Sequence, residues 1–285
     1  MKAAILFLTW NREKYTKMSL QSILENTNRE DYELNIWDNG STDEGMVDWL
    51  RQVCVDNKFS YMFFKRNEGL TRAMNNQMRI MDRMHKTDVF CHISNDIIVP
   101  KNWLDGVFEA IKSKKVGAVG LNLENKITDP VDVDGVQLEK ITPDGCIGGM
   151  HYCIPKWMYD LLGGFKHVAL NYGQQDANYS LQIKMLPLDV WDYYLPLTKY
   201  VGDHLGVTGK IYDEYERKIR ERLRKSGGDK NAGRNYRASL RKFRAEYDQK
   251  KITAEQLIAK LKDGDPFLFA DKSQLFETNI MQHIE

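Results

Sequence analysis

The first 120 residues alternate short apolar runs with helical patterns, and this alternation constrains the fold more than any other feature. The apolar runs have strand length and lie at 3–8, 34–37, 61–64 and 89–93. Helical patterns follow them at 14–26, near 46–53 and from 70 to about 84. Strands that alternate with helices form βαβ units, so we predict an α/β domain whose mixed, mainly parallel sheet is flanked by helices.

Polar residues stand where these strands end. Thr9 and Asn11 follow the first strand, Asp38 the second, Asn67 the third and Asp96 the fourth. Ligands of open α/β sheets bind outside the carboxyl ends of the strands. We therefore predict a binding site at this edge of the sheet.

Several short motifs occur in a fixed order along the same region. Thr-Trp-Asn-Arg spans 9–12, Asp-Asn-Gly-Ser-Thr-Asp spans 38–43, and Arg-Asn-Glu-Gly spans 66–69. Ser-Asn-Asp at 94–96, Gly-Gly-Phe at 163–165 and Tyr-Gly-Gln-Gln-Asp at 172–176 follow. With these motifs the chain resembles family 2 glycosyltransferases of the GT-A fold. The resemblance implies transfer of a single sugar from a nucleotide-diphosphate sugar, expected to be a UDP-sugar, to an acceptor hydroxyl.

The resemblance assigns the nucleotide sugar to side chains at the strand ends. Asp38 is able to accept a charge-assisted hydrogen bond from a base edge such as a uracil N–H, although it also suits a turn or helix cap. Arg72 corresponds to a basic residue that lines the nucleotide pocket in the family. The alternative is that Arg72 lies on a solvated helix face. The full set predicted to bind the nucleotide sugar is Thr9, Asn11, Arg12, Asp38, Asn67, Gly69, Arg72 and Asn95.

A divalent metal is also implied, because a nucleotide diphosphate leaving group develops charge that Mg²⁺ or Mn²⁺ neutralises. The family often has two aspartates in its DxD region, where this chain keeps only Asp96. His204 stands where many members place a histidine that completes the metal site, and imidazole is a reasonable Mn²⁺ ligand. We predict that Asp96 and His204 hold Mn²⁺ or Mg²⁺. The alternative for His204 is a structural role.

Asp176 corresponds to the aspartate that the family uses as its catalytic base. This base takes the proton of the acceptor hydroxyl in an inverting displacement, and general bases contribute about 10²–10⁴ in rate. The alternative for Asp176 is a helix N-cap. Because both acidic motifs have fewer acids than the family pattern, a catalytically inactive nucleotide-sugar or nucleic-acid binding module is the rival function.

The C-terminal part has a different composition. Charged helical patterns replace the alternation, so we divide the chain into a GT-A domain, 1–209, and a basic helical subdomain, 210–285. The net charge is only +1, yet 210–251 holds fifteen Lys/Arg against seven Asp/Glu, with aromatic residues interleaved. Such a surface is able to track phosphates, so hydroxylated bases of phage DNA are one acceptor hypothesis. A glycan is the other, with the segment forming a solvated helical pair.

Apolar runs and cysteines set further expectations. The longest apolar runs are far shorter than the roughly 20 residues of a membrane span, and no secretory signal pattern is visible. The four cysteines form no CxxC pair, which argues against a disulfide framework or a zinc ribbon. We therefore expect a cytoplasmic protein.

A hairpin is predicted over 131–148.

Overall fold

A computed structural model describes residues 1–166, 175–205, 231–262 and 275–280. The predicted domain boundary at 209–210, the motif residues 172–174 and the basic residues from 210 to 230 lie outside this part of the chain. Among the described residues, no helix is both long and apolar enough to cross a bilayer.

The N-terminal half follows the predicted alternation. Its elements are β1 (Ala3–Thr9), α1 (Glu13–Asn26), β2 (Tyr32–Asp38), α2 (Glu44–Asn57), β3 (Ser60–Phe64), α3 (Leu70–Met84), β4 (Val89–Ser94), β5 (Ile97–Ile98), α4 (Trp103–Ile111) and β6 (Val116–Gly120). The remaining described elements are β7 (Asp129–Val133), β8 (Val136–Lys140), β9 (His151–Pro155), α5 (Lys156–Leu162), α6 (Gln175–Met185), β10 (Trp191–Tyr194), β11 (Asp203–His204), α7 (Ala232–Asp248), α8 (Ala254–Lys262) and β12 (Leu275–Thr278).

One mixed sheet joins most of these strands in the order β12-β3-β2-β1-β4-β9-β6-β10-β8-β7. Within the described residues, β3, β2, β1, β4, β6, β10 and β7 run in one direction, while β12, β9 and β8 run in the other. Of the nine neighbouring pairs in this described sheet, four are parallel and five antiparallel. The prediction of an α/β fold with a mixed sheet flanked by helices is therefore confirmed. The short strands β5 and β11 pair with each other in a separate antiparallel ladder.

Helices cover both faces of the sheet. In β1, Ile5 and Phe7 face a core shared with α1, α2 and α4, whereas Leu6 and Leu8 face a core shared with α3, α5 and α6. Every residue of β1 is buried. A strand covered on both faces has a nearly continuous apolar sequence, which explains why this strand is evident from the sequence.

Two differences from the sequence predictions concern strand pairing. The predicted hairpin at 131–148 is shorter, since β7 and β8 end at Lys140 and the chain then forms a loop before β9. In the described part of the C-terminal extension, α7 and α8 are helical, as predicted, but this part also supplies β12, which pairs with β3 at the sheet edge. In the same extension, α7 packs against α6 and α8 packs against α5.

A buried contact fixes the Gly-Gly-Phe motif against α3. The side chain of Asn75 donates to the carbonyl of Phe165 at 2.7 Å and accepts from its N–H at 2.7 Å. A Cβ at Gly164 would lie 2.3 Å from the Asn75 side-chain oxygen, so only glycine fits at this approach. The motif thus ties the chain that follows α5 to the helix behind the strand ends.

Candidate functional site

The end of β2 carries a buried carboxylate that the adjoining turn surrounds. Asp38 is 1% exposed, and its Oδ2 accepts hydrogen bonds from the hydroxyls of Thr9, at 3.0 Å, and Ser41, at 2.5 Å. Its Oδ1 accepts the Ser41 backbone N–H at 2.9 Å. Burial raises the pKa of Asp38, and the hydrogen bonds from Ser41 and Thr9 oppose that rise.

These contacts give Asp38 the turn role that the sequence left open. The helix cap belongs to a different residue, since the Asp43 side chain accepts the Met46 N–H at the start of α2. The turn also requires Gly40, whose φ is +80° and whose Cβ would lie 2.3 Å from the Arg66 carbonyl carbon. The β2 turn is thereby packed against the loop that follows β3.

The loop after β1 is held by two asparagines from the predicted nucleotide set. Asn11 has φ 53°, and its side-chain oxygen accepts the Thr42 N–H at 2.9 Å. The Asn95 amide donates to the Asn11 carbonyl at 3.1 Å and to the Thr16 hydroxyl at 2.8 Å. Both predicted residues thus brace the loops at the strand ends.

The loop after β3 joins the same assembly. Asn67 Oδ1 accepts the Asn39 amide at 3.0 Å and the Gly69 N–H at 2.9 Å. Arg72 lies in the first turn of α3 and contacts Glu68 at 3.4 Å, so it is partly buried against an acid. The loops after β1, β2 and β3 therefore meet, as the positions of their polar residues predict.

Asp96 and His204 come together across the small ladder. Asp96 directly precedes β5, and β11 places His204 opposite Ile97. His204 Nε2 lies 3.3 Å from Asp96 Oδ2, and the Arg12 guanidinium lies 2.6 Å from the same oxygen. The side chains of Asp96 and His204 are only 7% and 10% exposed. Burial by itself raises the pKa of Asp96, but His204 and Arg12 outweigh it and hold this pKa below its usual value.

The pair offers part of a divalent cation site. Neighbouring ligands of an octahedral ion with bonds of about 2.1 Å lie about 3 Å apart, which is close to the spacing of Asp96 and His204. Within the described ranges no third His, Cys, Asp or Glu completes a metal-binding cluster. The pair would therefore supply two ligands to such an ion and leave its other coordination positions open. Arg12 pairs with the same carboxylate oxygen and has to share it or release it.

Asp176 lies in the first turn of α6 and is held from two sides. Its Oδ2 accepts the Gly149 N–H at 3.0 Å, and its Oδ1 accepts the Ala177 N–H at 2.8 Å. It is partly exposed. Because α6 begins at Gln175, Asp176 is the second helical residue and not the N-cap that the sequence left as an alternative.

Sheet pairing places Asp176 at the same edge as Asp96. β9 runs antiparallel to β4, with His151 opposite Ile93, and the Ser94 N–H donates to the Met150 carbonyl at 2.9 Å. Gly149 therefore lies just beyond the end of β4, where Asp96 begins the turn into β5. The predicted metal and base residues thus converge through one strand pair.

The sequence did not single out two contributors to this site. Ser41 bonds the Asp38 carboxylate and also accepts the Asn11 N–H at 2.7 Å, so it links the β1 and β2 loops. Gly149 supplies the backbone N–H to Asp176. The adjacent glycines at 148 and 149 were the available signal, since glycine permits close backbone approach.

Two comparisons with known sequences bear on this site. The model of the family described as "Glycosyl transferase family 2" matches residues 4–143. That range includes Asp38 and Asp96 but ends before Asp176 and His204. A comparison with curated proteins found no match.

Solved structures with the same fold are similar at low identity. GalNAc-T7, crystallised with UDP, GalNAc and Mn²⁺, is 14% identical with a TM-score of 0.56, covering 88% of this chain and 57% of that one. The mannosyltransferase PcManGT from Pyrobaculum calidifontis, in complex with GDP-Man and Mn²⁺, is 15% identical with a TM-score of 0.50, covering 90% and 78%. S. aureus TarS is 14% identical with a TM-score of 0.52, covering 71% and 36%. The chain thus spans less than two thirds of the first and third relatives. The GT-A fold is confirmed.

Proposed function

Because residues 4–143 match the model of glycosyl transferase family 2 and the chain has the GT-A fold, we propose that it moves a single sugar from a nucleotide-diphosphate sugar to an acceptor hydroxyl. The observation that carries this proposal is the convergence of Asp38, Asp96 and Asp176 at one sheet edge. The turn after β2, the turn before β5 and the loop before β9 bring these carboxylates there, each beside a different strand pair. Open α/β sheets bind their ligands at this edge.

The nucleotide sugar is expected to lie over the loops after β1, β2 and β3. Both oxygens of Asp38 are engaged with Thr9, Ser41 and the Gly40 backbone, so a base that bonds this carboxylate would replace one of these turn contacts. We propose a UDP-sugar as the donor. One similar structure holds UDP and another holds GDP-Man, so both nucleotides belong in the test.

Mn²⁺ or Mg²⁺ is the proposed cofactor, held by Asp96 and His204. When bound, the ion would neutralise the charge that develops on the leaving diphosphate. Arg12 is placed to help, because its guanidinium lies 2.6 Å from Asp96 and carries a permanent positive charge toward the same region.

Asp176 is the proposed base. With its Oδ2 fixed by Gly149 and its Oδ1 by the adjoining N–H, the carboxylate is oriented before the acceptor arrives. It would accept the acceptor hydroxyl's proton while that oxygen attacks the anomeric carbon from the face opposite the leaving group. This direct displacement inverts the anomeric centre.

The contacts of α7 bear on the choice between a nucleic-acid and a glycan acceptor. A nucleic acid such as phage DNA would need a free basic surface, but several arginines of α7 have partners within the protein. Arg237 donates to the Asn178 side chain at 3.1 Å, and Arg244 donates to the Leu186 carbonyl at 2.7 Å. These contacts favour a docking role for α7, which supports a glycan acceptor over DNA. Binding to DNA that does not weaken with added salt would exclude phosphate tracking by this surface.

A donor screen tests the proposed function. Nucleotide sugars with Mn²⁺ are scored for thermal stabilisation of the wild type and of Asp96→Ala, since a ligand that binds only the native state raises its stability. We expect a UDP-sugar to stabilise the wild type most and to lose this effect in Asp96→Ala. A flat response to every donor would refute the donor assignment. Stabilisation without turnover on any acceptor would favour the inactive binding module.

A further inference from the structure

We infer that Lys184 and Tyr194 are positioning residues that hold the 142–149 loop so that the Gly149 N–H orients Asp176. This inference rests on the proposed role of Asp176 as the base. Both side chains are buried. Each acts through the backbone of the 142–149 loop, which is the segment between β8 and β9 that ends at the Asp176 contact.

Lys184, on α6, binds the backbone of the first part of the 142–149 loop. Its ammonium donates to the carbonyls of Thr142 at 3.0 Å and Gly145 at 2.7 Å, with a longer contact of 3.4 Å to Pro143. The Lys184 side chain is 2% exposed, and its charge is paired with the fully buried Asp192 at 3.4 Å. A lysine is almost never buried to this degree unless it is paired. Its two shortest contacts, to Thr142 and Gly145, both go to one loop.

Tyr194 holds the second part of the loop. Its hydroxyl donates to the Cys146 carbonyl at 3.0 Å and accepts the Gly148 N–H at 3.2 Å. The residue is 2% exposed and lies on β10, so the hydroxyl has a fixed position. Lys126 adds a contact to the same Cys146 carbonyl at 3.3 Å. The Tyr194 hydroxyl therefore binds the backbone on both sides of residue 147.

The Asp176 contact follows directly in the chain. The Gly149 N–H is the next amide after the one that Tyr194 accepts, and it reaches Asp176 Oδ2 at 3.0 Å. A Cβ at Gly149 would lie 3.3 Å from that oxygen and 3.2 Å from the Gln175 amide, so the loop and α6 are in close contact. A shift of the 142–149 loop thus moves the hydrogen bond that orients the carboxylate.

Tyr194→Phe tests the inference with the smallest change. It removes one hydroxyl and leaves the ring in place, while Tyr193→Phe on the same strand is the matched control. We expect kcat for transfer to fall about tenfold in Tyr194→Phe, since a misplacement of 1 Å costs up to about 10²-fold. The donor KM and donor-induced stabilisation should stay at wild-type values. Amide hydrogen exchange should quicken across 142–149 in Tyr194→Phe only.

A second variant addresses Lys184. Lys184→Met combined with Asp192→Asn removes the loop contacts without leaving an unpaired buried charge, and we expect it to lower kcat by about 100-fold. If this double variant fails to fold, the Tyr194→Phe measurements decide the inference alone.

The outcomes separate this inference from the proposed function. Wild-type kcat and unchanged exchange in Tyr194→Phe, alongside an inactive Asp176→Asn, would overturn the positioning role and leave the base intact. Equal losses of kcat and donor affinity would also overturn it, because they indicate a general structural role. A fully active Asp176→Asn would refute the proposed base and the inference together.

Discussion

Replacing Asp176 with asparagine separates the proposed chemistry from the fold. The carboxylate accepts two N–H groups, one at each oxygen, whereas an asparagine side chain has one acceptor oxygen and one NH₂. One of the two N–H groups therefore loses its acceptor. Because the side chain is partly exposed, water replaces that acceptor, and we expect the free energy of unfolding to fall by only about 1 kcal/mol.

The effect on catalysis should be far larger. Asp176→Asn keeps the size of the side chain but cannot take up the acceptor proton, so we expect kcat to fall by about 10²–10⁴. Initial rates of nucleotide release with an acceptor measure kcat, while titration of the donor measures its affinity separately. Asp189→Asn, an exposed change just beyond α6, serves as the control. Wild-type kcat with weakened donor binding in Asp176→Asn would refute the assignment of the base.

Three further predictions concern the scaffold of the site. A non-glycine residue in the left-handed backbone conformation costs about 1–2 kcal/mol, and the Cβ of Gly40→Ala would also collide with Arg66. Gly40→Ala should therefore lower the free energy of unfolding by more than this amount, and an unchanged urea midpoint would contradict the prediction. Asn75→Ala strands two buried backbone groups of Phe165, which at about 1–3 kcal/mol each predicts a loss of about 2–6 kcal/mol in the same assay. The pKa of Asp96 is lower in the folded state than in the unfolded state. Ionised Asp96 therefore stabilises the fold at pH values above the unfolded pKa of about 3.9, and this stabilisation disappears as the pH falls through the folded pKa. The stability difference between the wild type and Asp96→Asn should therefore shrink in acid, and a difference that grew instead would contradict the cause given for that pKa.

The strands around β1 could be predicted because burial on both faces leaves a clear mark in the sequence. Ile5, Leu6, Phe7 and Leu8 all face a hydrophobic core, so apolar residues are contiguous there. The meeting of the polar residues at the strand ends could also be predicted, because neighbouring parallel strands end at the same edge of the sheet. By contrast, β12 pairs with a strand more than 200 residues earlier, and no local pattern in a short segment specifies such a partner.

Contacts within the site were harder to predict for a related reason. The Arg12 contact with Asp96 joins residues 84 positions apart and depends on the left-handed backbone at 11 and 12, which bends the chain toward β5. Gly149 binds Asp176 through its backbone N–H, so no side chain in the sequence indicates this contact. Residue types therefore indicated which groups are chemically able to act, and only the folded chain supplied their neighbours.

We propose that a nucleotide-sugar site with a divalent ion lies between the β1–β3 loops and the Asp96–His204 pair. A crystal grown with UDP and Mn²⁺ tests this most directly, because Mn²⁺ gives an anomalous signal that locates the ion without any assumption about the protein. We expect one anomalous peak within bonding distance of Asp96 and His204, with the uracil beside Asp38. A peak held by other residues, or UDP bound away from the carboxyl ends of the strands, would contradict it.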